Sequence, residues 1–177
     1  MKNNILILGH GDHGKTSVAL YLSDRMGLSC RDSSEFAAEH TVFPVLGGKY
    51  GYSNWKQCHA DRRNHRDEWG DLIADYNRHD PTRLAKELLR QSEVYVGMRR
   101  RREFIPCLKQ GLFSDVIWVD ATGRKNLEPY TSMEFDFRSV EGLCKVWGAK
   151  IWFISNQGPE KELYGRVEYV SSKMRGN

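Results

Sequence analysis

The chain has 177 residues, 40% of them hydrophobic and 28% charged, with 27 Lys and Arg against 23 Asp and Glu for a net charge of +4. That balance suits one folded domain with a sizeable core and excludes a disordered chain. No apolar run nears the ~20 residues of a membrane span, the N-terminus shows no signal-peptide pattern, and Cys30, Cys58, Cys107 and Cys144 form no C-x-x-C pair. The expectation is therefore a protein of a reducing cytoplasm (a host's, if the chain is viral), with no membrane partner, zinc ribbon or disulfide scaffold. The mild positive charge points to an anionic partner, either a phosphate-bearing small molecule or nucleic acid.

Ile5–Leu8 is a continuous apolar run of strand length, as expected of a strand buried on both faces. A Gly-rich turn follows. Residues 16–26 then carry apolar positions at helical spacing. Leu28-Ser29-Cys30 reads as a second strand, ending at Arg31-Asp32-Ser33-Ser34. Residues 41–59 read as a loop with glycine breaks, and 61–77 as a helix built on Trp69, Leu72, Ile73 and Tyr76. Asp80-Pro81-Thr82 predicts the start of a further helix through Leu89. Val94–Val96, Val116–Val119 and Ile151–Ile154 are three more strands, and a last helix begins near Glu160. Strands alternating with helices predict an α/β fold with a doubly wound, parallel, five-stranded sheet, one domain over 1–177.

The stretch Gly9-His10-Gly11-Asp12-His13-Gly14-Lys15-Thr16 matches G-x-x-x-x-G-K-[ST], and it joins a buried strand to a helix, the context this motif requires. Gly9, Gly11 and Gly14 let backbone N–H groups turn toward phosphate oxygens, with Asp12, His13 and Ser17 alongside, and the helix N-terminus adds a favourable dipole. Lys15 is expected at the β- and γ-phosphates of ATP, and the Thr16 hydroxyl on Mg²⁺. No N-K-x-D element for guanine recognition is present, so a small kinase fits best.

In open α/β sheets ligands bind beyond the carboxyl ends of the strands. Asp32, after the second strand, either orients the attacking oxygen and meets Mg²⁺ through water, or caps the helix starting at Ser33. Asp120, after the fourth, is either a second carboxylate near Mg²⁺ or a turn residue. Arg99 opens the run Arg99-Arg100-Arg101-Arg102 and is the member expected at the phosphates; the other three read as a solvated face, with Glu103 at ion-pairing spacing from Arg99. Arg62, Arg63 and Arg66 form a second cluster suited to an acceptor phosphate. Tyr52, Trp55 or Trp69 would stack a base, core packing being the alternative. Asn156 lies where a nucleotide base would rest. No His or Cys pair has a zinc spacing.

The P-loop, Asp32-Ser33-Ser34, the strand running into Gly97-Met98-Arg99 with Glu103 beyond it, Thr131-Ser132-Met133-Glu134, and the turn at Ile154–Gly158 leading into Glu162-Leu163 together resemble phage-type deoxynucleoside monophosphate kinases. The likeness extends more distantly to dephospho-coenzyme A kinases. It implies an adenylate-kinase-like P-loop fold, ATP and Mg²⁺ as cofactors, and γ-phosphoryl transfer to a (deoxy)nucleoside monophosphate. The further implications are a helical acceptor-binding insertion over 41–92, with Ser33 among its contacts, and a short lid-like segment at 123–137 that brings Arg124 over ATP. Such loops commonly carry Gly where Asp12 or His13 stands here. Two other readings stay open: a P-loop kinase acting on a modified base or 5′-hydroxyl in DNA, and a nucleotide-binding module without turnover.

Overall fold

The computed structural model describes residues 3–123 and 133–175. Five strands, β1 (Ile5–Leu8), β2 (Cys30–Asp32), β3 (Val94–Val96), β4 (Asp115–Asp120) and β5 (Lys150–Ser155), pair in the order β2-β3-β1-β4-β5. Every pairing is parallel; in register, Ile7 lies between Val96 of β3 and Ile117 of β4. The crossovers that parallel pairing demands are made by α1 (Lys15–Met26), the helical stretch between β2 and β3, α7 (Arg101–Lys109) and α8 (Phe137–Trp147), with α9 (Glu160–Arg175) closing the chain.

Successive strand residues point to opposite faces, so the apolar strands feed two cores. Ile5, Ile7, Val94, Val96, Ile117, Val119 and Ile154 pack under Val18, Ala19 and Leu22 of α1 and Leu163, Val167 and Val170 of α9. Leu6, Leu8, Tyr95, Val116 and Trp118 face the other way, onto Phe36, Phe104, Leu108, Val140 and Cys144. The inner strands β1, β3 and β4 are covered on both faces, which is why their runs read as continuously apolar, whereas the edge strands β2 and β5 are only partly buried.

Residues 41–59 are helical, not a loop. From β2 the chain runs through α2 (Ser33–Ala37), a π-helical turn (Ala38–Val42) and α3 (Phe43–Tyr50) as one winding rod, then α4 (Trp55–Ala60). Pro44 has no N–H to give the His40 carbonyl, and just before it the register slips, Phe43 N–H reaching Ala38 C=O. The glycines do not break α3: a Cβ on Gly47 would stand 2.8 Å from the Phe43 ring, and Gly51, at φ 70, is the left-handed C-cap. The helix predicted from Asp61 begins at Arg66 instead, as α5 (Arg66–Tyr76). Asp61 is occupied as the acceptor of a turn, taking bonds from Tyr52, Asn64 and His65. Asp80 accepts from Thr82 N–H at 2.9 Å ahead of α6 (Arg83–Leu89).

These helices carry a third apolar cluster of their own, Ala38, Val42, Leu46, Cys58 and Trp69. Trp69, 6% exposed, lies in that cluster rather than on an open surface. Trp69→Ala is expected to destabilise the protein by about 3 to 5 kcal/mol, whereas Tyr169→Ala, at a residue 63% exposed, should change stability by less than about 1 kcal/mol. Urea unfolding of both variants checks this.

Candidate active site

All five strands release the chain at the same edge of the sheet, and residues 9–16, Asp32, Arg99, Asp120 and Asn156 lie at or just beyond these exits. The loop leaving β1 is pressed against the exits of β4 and β5. At Gly9, φ 144, an added Cβ would sit 2.4 Å from the Val119 carbonyl oxygen, and at Gly14, φ 86, one would sit 2.3 Å from Asn156 Nδ2. Only glycine fits these two positions. At Gly11 a Cβ would meet nothing within 4 Å, so the middle of the loop opens on free space. Asp12, at φ 58, is the one non-glycine left-handed residue among those described, a conformation Asp tolerates better than most side chains.

The loop ends in α1, whose N-cap Gly14 supplies no side-chain bond and whose first turn holds no acidic residue. Its N–H groups and positive dipole end are thus available to an anion. Thr16 and Ser17 are exposed there. Lys15 is half-buried, its Nζ donating to the His10 carbonyl at 2.6 Å. Burial first, and then the Arg99 charge, lower its pKa to about 8 against the opposing pull of Asp32 and Asp12. Lys15 thus feels Arg99, Asp32 and Asp12, the four coming from three separate stretches of chain.

Arg63, in the turn between α4 and α5, reaches the loop directly, with Nη2 3.4 Å from Asp12 Oδ2. Arg62 donates to the His59 carbonyl at 2.9 Å, and Arg66 is the first residue of α5. Asp32 caps α2, its Oδ1 accepting from Ser34 N–H at 2.7 Å and Ser34 Oγ at 2.6 Å. The Ser34 hydroxyl, having given its proton to Asp32, accepts from His59 Nε2 at 2.8 Å. This chain, Asp32–Ser34–His59, ties the β2 exit to α4 and was not foreseen from sequence, because Ser34 and His59 are 25 residues apart. Ser33 Oγ donates to the Gly97 carbonyl, joining the exits of β2 and β3.

At the β4 exit, Asp120 accepts from Thr122 through Oδ1 and from Gln157 through Oδ2, the latter at 2.8 Å. Burial pushes its carboxyl up, but Thr122, Gln157 and the neighbouring His13 together hold it below the ordinary range. Both oxygens therefore link the turn after β4 to the turn after β5. Asn156, 2% exposed, sends its amide to the His13 carbonyl at 2.9 Å, so it braces the loop from below.

The run Arg99–Arg102 is not one solvated face. Helix α7 starts only at Arg101, and Arg100 is extended at φ −110, so Arg99 and Arg100 precede the helix on which Arg101 and Arg102 are exposed. Arg99 is exposed beside Lys15. Arg100 lies over α5, where a Cβ on Gly70 would stand 2.8 Å from its Nη2. Arg101 holds Glu134, through Nε to the carbonyl at 3.0 Å and N–H to Oε2 at 2.9 Å. Glu103, 7% exposed, meets Asn77 Nδ2 at 3.4 Å rather than pairing with Arg99, and burial raises its pKa. Arg124 and most of the 123–137 segment lie outside the described residues.

The residues present fit ATP with Mg²⁺. The open cradle at Gly11, the uncapped start of α1, the Lys15 ammonium and the exposed Thr16 hydroxyl are the donor set that a polyphosphate and its cation require. Among the described residues no group of three or more His, Cys, Asp and Glu side chains forms a metal cage.

The sequence matches no protein-family model and no curated protein. By backbone the chain is similar to shikimate kinase from Bacteroides thetaiotaomicron, at 11% identity over 98% of each chain with a TM-score of 0.50. It is also similar to a protein from Chloroflexus aurantiacus inferred to be a kinase, at 15% identity over 98% of this chain and 96% of that one with a TM-score of 0.51. At such identities the likeness is one of fold, and the fold is that of P-loop kinases.

Gly14→Ala is expected to cost about 1 to 3 kcal/mol, from the Asn156 clash and the positive φ together. Gly11→Ala should leave thermal melting unchanged. With Lys15 titrating near 8 in the free protein, bound phosphate favours the charged amine, so ATP affinity should fall as pH rises above that value, by up to about tenfold per pH unit. Calorimetric titration at about pH 7 and about pH 9 measures this loss.

Proposed function

We propose that the protein transfers the γ-phosphoryl group of ATP to a small anionic acceptor, and that this acceptor is a (deoxy)nucleoside monophosphate. One observation carries the reading. Lys15, at the start of α1, lies near enough to Arg99 for that charge to add to burial in disfavouring its own. Arg63 arrives on the same loop from the far side. Cations gathered from three separate elements repel until an anion lies between them, so the arrangement is suited to two phosphate groups facing each other.

In this reading the loop N–H groups and Lys15 hold the β- and γ-phosphates, and Thr16 holds Mg²⁺, which when bound offsets charge on the phosphate oxygens. Arg99 bridges donor and acceptor phosphates, and Arg62, Arg63 and Arg66 line the acceptor side. An acceptor phosphate is already a nucleophilic anion and needs no base. Asp32 orients Lys15 and the acceptor, its geometry held by Ser34 and His59. Catalysis is then chiefly in-line positioning and charge stabilisation. Tyr52 remains a candidate near the base. Trp69, within the insertion core, supports that wall from behind.

A second reading, transfer to a hydroxyl, is favoured by Asp32. A carboxylate at the β2 exit beside Lys15, backed by Ser34 and His59, is placed to take a hydroxyl proton, and the similar Bacteroides thetaiotaomicron structure is a shikimate kinase. A coupled ADP-release assay with ATP and Mg²⁺ separates the readings. Its acceptors are ribo- and deoxynucleoside monophosphates, 5-hydroxymethylpyrimidine monophosphates, dephospho-coenzyme A, small polyhydroxy acids and single-stranded DNA. Turnover with one or a few monophosphates is expected. Turnover only with hydroxy acids selects the second reading, turnover only with DNA selects a polymer kinase, and ATP binding without turnover selects a binding module. Lys15→Ala should lower turnover by about a hundredfold or more, and Arg99→Ala should reduce transfer far more than ATP binding.

A further inference from the structure

His13 occupies the middle of a surface loop and is nevertheless 4% exposed, its ring turned under the loop rather than outward with Thr16 and Ser17. Its Nδ1 lies 3.0 Å from the Ala121 N–H, 3.3 Å from the Val119 carbonyl oxygen and 4.0 Å from Asp120 Oδ1. An N–H needs a lone pair and a carbonyl needs a proton, so Nδ1 can satisfy only one of these neighbours. Ala121 is 0% exposed, and its N–H has no water to turn to. A buried N–H left unpaired is costly, so Nδ1 carries the lone pair and the ring proton sits on Nε2. Burial first, and then the His10 and Lys15 charges, favour this neutral ring, while the Val119 carbonyl and Asp120 oppose it.

The same residue is held at a second point. Its carbonyl accepts from Asn156 Nδ2 at 2.9 Å, and Asn156 is itself fixed by its N–H to the Asp120 carbonyl at 2.6 Å. One loop residue is therefore gripped through its ring by the exit of β4 and through its backbone by the exit of β5. Gly14 and Lys15 follow immediately, and the His10 ring packs edge-on at 5.2 Å from His13 and 5.6 Å from Trp118.

We propose that His13 is a positioning residue for nucleotide binding: its ring, tethered beneath the loop to the Ala121 N–H, holds the loop in its phosphate-receiving shape and does not itself contact phosphate. The sequence alone suggested a direct contact with the nucleotide, and the direction of the ring removes that role. The inference rests on the loop binding ATP, as proposed above.

The test compares His13→Asn, whose amide oxygen can take the place of Nδ1 as an acceptor, with His13→Leu, of similar size and without one. Calorimetry should show ATP binding about tenfold weaker in His13→Leu, the scale of one unpaired buried N–H, and most of the affinity recovered in His13→Asn. Nitrogen NMR of the histidine-labelled wild type should show His13 protonated at Nε2 and bare at Nδ1, with or without ATP. Wild-type affinity in His13→Leu, equal loss in both variants, or a proton on Nδ1 would overturn the proposal. If His13→Leu does not fold, the wild-type spectrum and His13→Asn decide. A wild type with the expected spectrum that binds no ATP refutes the nucleotide reading, and this role with it.

Discussion

The loop after β1 runs so close to its neighbours that side chains cannot exist at two of its positions, and the rest of the site is arranged around that closeness. The Val119 carbonyl stands against Gly9 and the Asn156 amide against Gly14. Both come from strands on one side of β1 in the order β2-β3-β1-β4-β5. The central strand thus delivers the loop onto the exits of β4 and β5, which support it from beneath. On the other side the exits of β3 and β2 bring Arg99 and Asp32 toward Lys15. Support and chemistry are divided between the two halves of the sheet.

That division separates residues that look alike in sequence. Asp32 and Asp120 both end apolar strands, yet Asp120 gives its two oxygens to Thr122 and Gln157 and joins one exit to the next. Asp32 gives Oδ1 to Ser34 and feels Lys15. Asn156 and Arg63 were both expected at a nucleotide. Asn156 braces the loop through its backbone, whereas Arg63 reaches it through Asp12. Residues with the same expected role thus take different places, Asp120 and Asn156 beneath the loop and Asp32 and Arg63 at its sides.

The helices between β2 and β3 make a cluster around Trp69, Val42 and Leu46, and through Phe36, Ala37, Leu84 and Leu88 they also pack into one of the two sheet cores. That packing carries the stretch holding Arg62, Arg63 and Arg66, and polar links, among them Ser34 to His59 and Arg63 to Asp12, tie it to the strand exits.

The parallel sheet and the strand–loop–helix of the P-loop were legible in sequence, because each rests on local rules: continuous apolar runs, and glycines and a lysine at fixed spacing. The helix over 41–59 was not, because its glycines serve a close approach to Phe43 and a C-cap, and nothing in a linear pattern separates these from a loop. The direction of the His13 ring, the satisfaction of Asp120, the burial of Trp69 and the scattering of Arg99–Arg102 were decided only by tertiary packing. Each depends on a partner distant in the chain, such as Ala121 for His13, which lies 108 residues away. Local chemistry specifies which groups can bind a phosphate, and only the fold selects which of them remain free to do so.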